Sequence, residues 1–144
     1  MVREINENDL CELSRLYTQL HDNEPISKTD KTQKIWNQIL NDENHKIIVF
    51  EKDKKIVSSC VLVIIPNLTH NQQPYALIEN VITDNDYRRQ GIASQVLDYA
   101  RKIASENNCY KIMLMTGSKK SGTHKFYQKA GYNRFDKTAY IQWL

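Results

Sequence analysis

The fold is decided by residues 76–107, which read ALIENVITDNDYRRQGIASQVLDYARKIASEN. The first eight, ALIENVIT (76–83), are mostly aliphatic and β-branched, and this composition predicts a strand. DNDYRRQG (84–91) predicts a turn, and from Gln90 to Asn107 the apolar residues recur at the spacing of an amphipathic helix. Because a second strand, YKIMLMT (110–116), follows, the stretch predicts a βαβ unit with two parallel strands.

The flanking residues predict an otherwise antiparallel sheet covered by helices. A short strand at 2–5 precedes two helices, one over 10–20 and one that ends near Asn41. KIIVFE (46–51) and KIVSSCVLVII (55–65) predict a β-hairpin. SGTHKFYQKA (121–130) predicts a helix that ends at Gly131, and the residues through AYIQWL are expected to be extended. The fold class is therefore α/β (α+β), with the element order βααβββαβαββ.

Composition indicates one compact domain over residues 1–144. The chain is 40% hydrophobic and 26% charged, and no linker or repeat divides it. No apolar run approaches the roughly 20 residues of a membrane span, and MVREINENDL is too polar for a secretory signal, so we expect a cytoplasmic protein that does not bind membranes. Cys11, Cys60 and Cys109 are scattered and lack metal-ligand spacing, so we expect reduced core thiols and no metal.

The charge of the chain is unevenly distributed. The net charge is +3, but residues 1–72 carry 9 basic and 11 acidic side chains, a balance of −2, whereas residues 73–144 carry 11 basic and 6 acidic, a balance of +5. An anionic ligand is therefore expected to contact the second half, although a solvated basic surface explains the excess equally well. No basic stripe is interleaved with aromatic residues, so we do not expect nucleic-acid binding.

The start of the long helix has the chemistry of an anion site. Arg88 and Arg89 precede Gly91, and the first turn of a helix offers unpaired backbone N–H groups at the positive end of its dipole. Gly91 and Ala93 leave room for a ligand to approach the backbone. The alternative is that Asp84 and Asp86, with Ser94, balance the two arginines without any ligand, and that Gly91 only forms a turn.

Two motifs connect this stretch with a known family. Arg88-Arg89-Gln90-Gly91-Ile92-Ala93 resembles the (Q/R)xxGx(G/A) turn of the GNAT superfamily of acetyl-CoA-dependent N-acyltransferases, and FYQKAGY (126–132) resembles that family's FYxKxGF helix end. The resemblance is specific over about residues 76–136 and extends to the whole chain in element order. It implies a GNAT-like fold and transfer of an acetyl group from acetyl-CoA to a primary amine. It also implies an acceptor-side half (about 1–75) and an acetyl-CoA-binding half (about 76–144).

The resemblance assigns the coenzyme-binding residues. The strand residues Val81, Ile82 and Thr83 would hydrogen-bond the pantetheine as an added strand, and a backbone N–H near Ile82 would stabilise the oxyanion. Arg88 or Arg89 would add positive charge to the binding of the coenzyme A pyrophosphate. The pyrophosphate would be bound by backbone N–H groups of the turn and the helix start, namely Arg89, Gln90, Gly91, Ile92, Ala93 and Ser94.

Acetyl transfer needs a neutral amine and a proton for the departing thiolate, and two residues are candidates. Glu79 precedes the pantetheine segment and is our candidate base; strand alternation places it on the same face as Val81 and Thr83, and the alternative is a surface charge. Tyr127 matches the family's tyrosine beside the coenzyme sulfur, the alternative being a core aromatic. We favour function because Tyr127 and Phe126 point about 100° apart and are not expected to face the same core. His124 is a weaker candidate base.

The acceptor is not identified by the sequence. The resemblance directs it to residues 21–34, 66–75 and parts of 133–144, where acidic and aromatic side chains suit a cationic amine: His21, Asp22, Glu24, His70, Tyr75 and Tyr140. Residues 108–132 are also similar to glucosamine-6-phosphate N-acetyltransferases, but that half binds the coenzyme. A small amine, an amino sugar, an amino acid and a protein amine therefore all remain open.

Two further alternatives concern the type of protein and its assembly. A regulatory acyl-CoA-binding module would keep the RRQGIA turn without turnover, and the presence of Tyr127 and Glu79 favours an enzyme. Tyr140, Trp143 and Leu144 lie near the chain end, where large apolar side chains need a neighbouring surface. That surface is either a second subunit, which makes a homodimer, or the domain's own sheet.

Overall fold

The computed structural model describes residues 1–20 and 24–144, which form a five-stranded sheet and four α-helices. In chain order the elements are β1 (Val2–Glu4), α1 (Leu10–Tyr17), α2 (Asp30–Asn41), β2 (His45–Lys52), β3 (Lys55–Ile65), β4 (Tyr75–Thr83), α3 (Ile92–Glu106), β5 (Ile112–Leu114) and α4 (Ser121–Lys129). The predicted α/β class is confirmed. None of the helices in these two ranges has the length and apolar character needed to cross a bilayer.

The strands lie side by side in chain order, β1-β2-β3-β4-β5. The first four pair antiparallel, and β5 pairs parallel to β4, with Ala76 opposite Ile112 and Ile78 opposite Leu114. The predicted βαβ unit inside an antiparallel sheet is therefore confirmed. The strand expected over 110–116 is shorter, because only three of its residues pair.

Helices cover both faces of the sheet, so the domain has three layers and two apolar clusters. The stripe of α3, including Val96 and Ala100, packs against Cys60 and Leu62 of β3 on one face, which we call the α3 face. On the other face, the α1 face, Leu13, Leu16 and Trp36 pack against β2 and β3. Alternate residues of β3 face opposite clusters, as a strand buried on both sides requires.

The two C-terminal strands that the sequence predicts are not formed, and this prediction is wrong. Residues 133–144 contain no strand, and the side chains of Phe135, Tyr140 and Trp143 are 81%, 92% and 90% exposed. Tyr, Ile and Trp favour an extended backbone, but this propensity does not specify which strand edge the segment joins. We call residues 133–144 the C-terminal segment.

Candidate functional site

One edge of β4 is only partly used by the sheet. β3 pairs along nearly all of β4, from Tyr75 to Thr83, whereas β5 pairs only with residues 76–78. Residues 79–83 therefore have no β5 partner, and we call them the open β4 edge. A strand edge with unpaired N–H and C=O groups can accept an extended ligand as an additional strand. Val81, Ile82 and Thr83, the predicted pantetheine residues, all belong to it.

A β-bulge lies at the beginning of the open β4 edge. Ser59 pairs with Ile82 and Val61 pairs with Glu79, so β4 contains one residue more than β3 between these pairs. Asn80 has the left-handed value φ 50°, which asparagine tolerates better than most residues. Val81 packs on the α3 face and Ile82 packs on the α1 face. The bulge therefore reverses the alternation of side chains between the two faces along β4.

The bulge changes the predicted position of Glu79. Its partner Val61 faces α1, so Glu79 lies on the α1 face together with Ile82. Thr83 contacts the hydroxyl of Ser58 at 2.9 Å and lies on the α3 face with Val81. The expectation that Glu79 shares a face with Val81 and Thr83 is therefore wrong. Asn80 is the only local signal for the bulge, and an isolated asparagine is a weak one.

The N-terminus of α3 follows the 84–91 turn and presents free N–H groups. Gly91 is the residue before the helix and has φ 73°, and Arg89 is also left-handed, with φ 60°. No side chain caps this end, and the first turn of α3 contains no acidic residue. Nothing lies within 4 Å of the position that a Cβ on Gly91 would occupy. The geometry suits a negatively charged group that approaches the backbone of Ile92, Ala93 and Ser94.

The two arginines of the turn are not balanced by Asp84. The carboxylate of Asp84 instead pairs with Arg15 of α1 at 2.9 Å. Arg88 donates from Nε to the carbonyl of Thr83 at 3.1 Å, and Gln90 donates from its amide to the carbonyl of Asp86 at 3.3 Å. Within residues 1–20 and 24–144, neither Arg88 nor Arg89 forms an ion pair, so the ligand-free alternative loses its main support. Sequence reasoning missed Arg15, since on α1 it resembles any solvated arginine.

Tyr127 lies on the α3 face, half-buried against the cluster that contains Cys60. Its ring centroid lies 5.0 Å from that of Phe126 and 6.2 Å from that of Tyr132. Both Phe126 and Tyr127 pack against this one cluster, so the expectation that they face different surroundings is wrong. Burial raises the pKa of Tyr127, and the neighbouring Cys60 raises it further. The phenol is therefore protonated at neutral pH and able to donate a hydrogen bond.

The acceptor candidates are widely separated. The loop before β4 lies about 26 Å from the 84–91 turn, because β4 advances by eight residue steps from Tyr75 to Thr83. There His70 stacks on Tyr110 with ring centroids 4.1 Å apart, and Lys111 lies over the rings of Tyr75 and Tyr110. Glu24 and Tyr140 are exposed, and His124 lies in α4. His21 and Asp22 fall outside the described residues.

The cysteines differ in their surroundings. Cys60 is fully buried, and burial raises the pKa of its thiol to about 12, so it is a packing residue. Cys109 is half-buried, while Cys11 is exposed on α1, so the expected core position is right for Cys60 and wrong for Cys11. Among the residues that the structure describes, no three His, Cys, Asp or Glu side chains are grouped to hold a metal ion.

Comparisons with known proteins find a matching family and solved structures of the same fold. Residues 12–132 match the model of the acetyltransferase (GNAT) family. A solved structure of a putative acetyltransferase from Agrobacterium tumefaciens str. C58 is 32% identical, covers 99% of both chains and has a TM-score of 0.91. A transcriptional regulator from Bacillus halodurans C-125 is 24% identical over 99% of both chains, with a TM-score of 0.87.

One curated relative adds a named activity. A glucosamine 6-phosphate N-acetyltransferase from Trypanosoma brucei brucei is 27% identical over 92 residues. The match spans 64% of this chain and 60% of that relative, so less than two thirds of the relative is covered.

Proposed function

The chain belongs to the acetyltransferase (GNAT) family, and we propose from that premise that it transfers the acetyl group of acetyl-CoA to a primary amine. The family membership predicted from the two motifs is thereby confirmed, as is the GNAT-like fold. The observation that carries the proposal is the open β4 edge, which leads directly to the uncapped N-terminus of α3. Coenzyme A, in which an extended pantetheine chain is joined to a pyrophosphate, matches both features.

We assign the coenzyme to the half from about residue 76 to residue 144. The pantetheine would pair with Val81, Ile82 and Thr83 along the open β4 edge. The pyrophosphate would lie against the backbone of residues 89–94, where Gly91 leaves free space and the arginines supply positive charge. The acceptor would approach from the half formed by about residues 1–75.

The proposed reaction is a direct attack on the thioester. The amine nitrogen forms a bond to the carbonyl carbon, the C–S bond breaks, and the ammonium proton must leave while the thiolate must be stabilised. An alkyl amine of pKa near 10.4 costs about 5 kcal/mol to deprotonate at pH 7. We propose that Glu79 removes that proton, directly or through water, from the α1 face.

Tyr127 would act on the sulfur from the opposite face of the sheet. A phenol of ordinary pKa near 10 is about 2 kcal/mol too weak to protonate a thiolate of pKa near 8.5 completely. Burial raises the pKa of Tyr127, which weakens it further as an acid. A hydrogen bond from its hydroxyl to the sulfur is therefore the contribution we propose.

The acceptor is proposed only as an amine, either of a small molecule or of a protein. The named substrate of the trypanosomal relative makes glucosamine 6-phosphate a compound to include in a screen. The coenzyme is the one anionic ligand that we assign to the basic half, and no metal, nucleic acid or membrane enters the proposal. The cytoplasmic location stays a prediction from the sequence.

The second candidate function is a non-catalytic acyl-CoA-binding module. The likeness to a structure described as a transcriptional regulator favours it, because this fold is shared by a protein with a regulatory description. Such a module would bind coenzyme A without releasing its thiol in the presence of any amine. A screen of amines for thiol release therefore separates the two candidates.

The coenzyme site is tested by replacing Gly91 with Glu. The new side chain fills the free space beside α3 and repels the pyrophosphate, so coenzyme A binding and thiol release are expected to fall at least 100-fold. Gly91→Ala is the matched control, since it carries the strain of the left-handed backbone without the charge. Thiol release with a panel of amines and calorimetric titration of coenzyme A are the measurements. Undiminished activity of Gly91→Glu would overturn the assigned site.

Tyr127→Phe tests the proposed hydrogen bond to the sulfur. Turnover is expected to fall at least several-fold with little change in acetyl-CoA affinity, because only the hydroxyl is lost. Tyr132→Phe is the matched control, as Tyr132 packs edge-on against the same ring and burial raises its pKa to about 12. Steady-state kinetics of both variants are measured, and an unchanged turnover of Tyr127→Phe excludes Tyr127 from the mechanism.

Glu79→Gln tests the proposed base through the pH dependence of the rate. At pH 7 the rate is expected to fall by about 100-fold, the lower end of what a positioned base contributes. The loss in rate should shrink as the pH rises toward the pKa of the amine, because a larger fraction of the amine is then neutral without the help of a base. The rate constant kcat/KM is measured from pH 6 to 10. A loss that is equal at every pH contradicts a base role for Glu79.

We propose that the C-terminal segment packs on a second copy of the chain. Tyr140, Trp143 and Leu144 are at least 90% exposed, so they do not close the domain's own sheet. Exposed aromatic residues of this size favour association. The intact chain is expected to have the mass of a dimer by light scattering, and deletion of residues 135–144 should give a monomer. A monomeric mass for the intact chain would defeat the proposal.

A further inference from the structure

An arginine of the first half of the chain reaches the beginning of the 84–91 turn. Arg15, on α1, contacts the Oδ2 atom of Asp84 with its Nη1 atom at 2.9 Å. Its Nη2 atom donates to the backbone carbonyl of Ile56 at 2.8 Å, and its Nε atom contacts Glu12 at 3.2 Å. The guanidinium is thus held by three partners on different elements, and its direction is fixed.

Asp84 is the residue through which this contact acts on the turn. It follows β4 directly, is only 7% exposed, and its backbone N–H donates to the carbonyl of Val57 at 2.9 Å. Its second carboxylate oxygen accepts the N–H of Asp86 at 3.2 Å, which caps the 3-10 helix Asn85–Tyr87. One carboxylate therefore joins α1 to the first half of the turn.

A second residue, which lies just after the C-terminus of α1, supports the same turn. The side-chain oxygen of Gln19 accepts the backbone N–H of Asn85 at 3.0 Å. Further along, the Gln90 amide donates to the carbonyl of Asp86, so the residue before Gly91 is tied back to the capped segment. A continuous series of hydrogen bonds thereby runs from α1 to Gln90, two residues before α3.

The charge of Asp84 suits this role. Burial by itself would raise the pKa of Asp84, but the hydrogen bonds from Arg15, Asp86 and Gln19 outweigh burial and hold the pKa below its usual range. The carboxylate is therefore ionised at neutral pH and accepts from Arg15 and from the turn at the same time.

We propose that Arg15 is a positioning residue for the coenzyme: by fixing Asp84 it holds the 84–91 turn and the N–H groups of α3 in their receptive arrangement before the ligand arrives. This rests on the proposed function. A turn that is already ordered loses less conformational entropy when the ligand binds. Loss of the contact therefore weakens coenzyme affinity and leaves the chemical step at saturation unchanged.

The test is a comparison of Arg15→Met and Asp84→Asn, which remove the charge from either partner while keeping similar side-chain length. Calorimetric titration with free coenzyme A is expected to show about a tenfold higher Kd in each variant. The double variant should bind coenzyme A no more weakly than either single variant, because both substitutions remove the same contact. The kcat at saturating acetyl-CoA should stay within about twofold.

Two further variants separate positioning from a general structural effect. Arg15→Lys keeps one donor toward Asp84 and should restore part of the affinity. Arg101→Met makes the same substitution on the exposed face of α3, where it breaks an exposed pair with Asp98 within one helix, and should leave Kd unchanged. Urea unfolding of every variant reports the fraction of folded protein under the assay conditions.

The outcomes distinguish this role from the proposed function. An unchanged Kd in Arg15→Met and Asp84→Asn, a loss of kcat in place of affinity, or a loss that follows the unfolded fraction overturns the positioning role. Failure of the unmodified chain to bind coenzyme A overturns the proposed function itself and the positioning role with it.

Discussion

The proposed coenzyme site depends on a difference between the two edges of β4: one edge is paired along nearly its whole length and the other is not. The antiparallel partner β3 pairs along nearly the whole strand, so the position of β4 is fixed without help from β5. β5 pairs with three residues and then ends, and this leaves five residues of β4 without a strand partner on that side. In the sheet of a stable domain an unpaired strand edge is a liability unless a ligand or another segment uses it. The open edge also points along the chain toward α3, so β4 supplies one part of the proposed coenzyme site and the N-terminus of α3 the other.

The bulge at Asn80 determines which chemical groups lie on each side of that edge. Without the additional residue, Glu79, Val81 and Thr83 would share one face, and the proposed base and the pantetheine segment would be crowded together. With it, Val81 and Thr83 lie toward α3, whereas Glu79 lies toward α1. Tyr127 packs from α4 on the α3 face, so the two proposed catalytic groups flank β4 from opposite faces. In direct transfer the amine and the leaving sulfur occupy different sides of the carbonyl carbon, and two separated groups can serve them at the same time. The left-handed Asn80 therefore separates the proposed base, Glu79, from the side chains of Val81 and Thr83.

The parts of the fold that follow a periodic pattern could be predicted from the sequence, and those that depend on one contact could not. The stripe of α3 and the RRQGIA turn are local features, and both lie where the sequence indicates. The reversal at Asn80 depends on the pairing of β4 with β3, and neither strand contains this information alone. The C-terminal strands were predicted from propensity, which describes the backbone of a segment and not its partner. The contact of Arg15 with Asp84 joins residues 69 positions apart, and only the packing of α1 on the sheet brings them together.

That long-range contact also changes the meaning of the uneven charge. Asp84 is one of two acidic residues in the turn that could pair with Arg88 and Arg89, the other being Asp86, and α1 engages Asp84 with a different arginine. Two positive side chains beside the positive end of a helix dipole are unfavourable by about 0.3–1 kcal/mol each when they are unpaired. A ligand with negative charge relieves this repulsion at the same moment as it satisfies the free N–H groups of α3. Arg15 of the first half thus leaves Arg88 and Arg89 available to the proposed anion site of the second half, because it occupies a competing carboxylate.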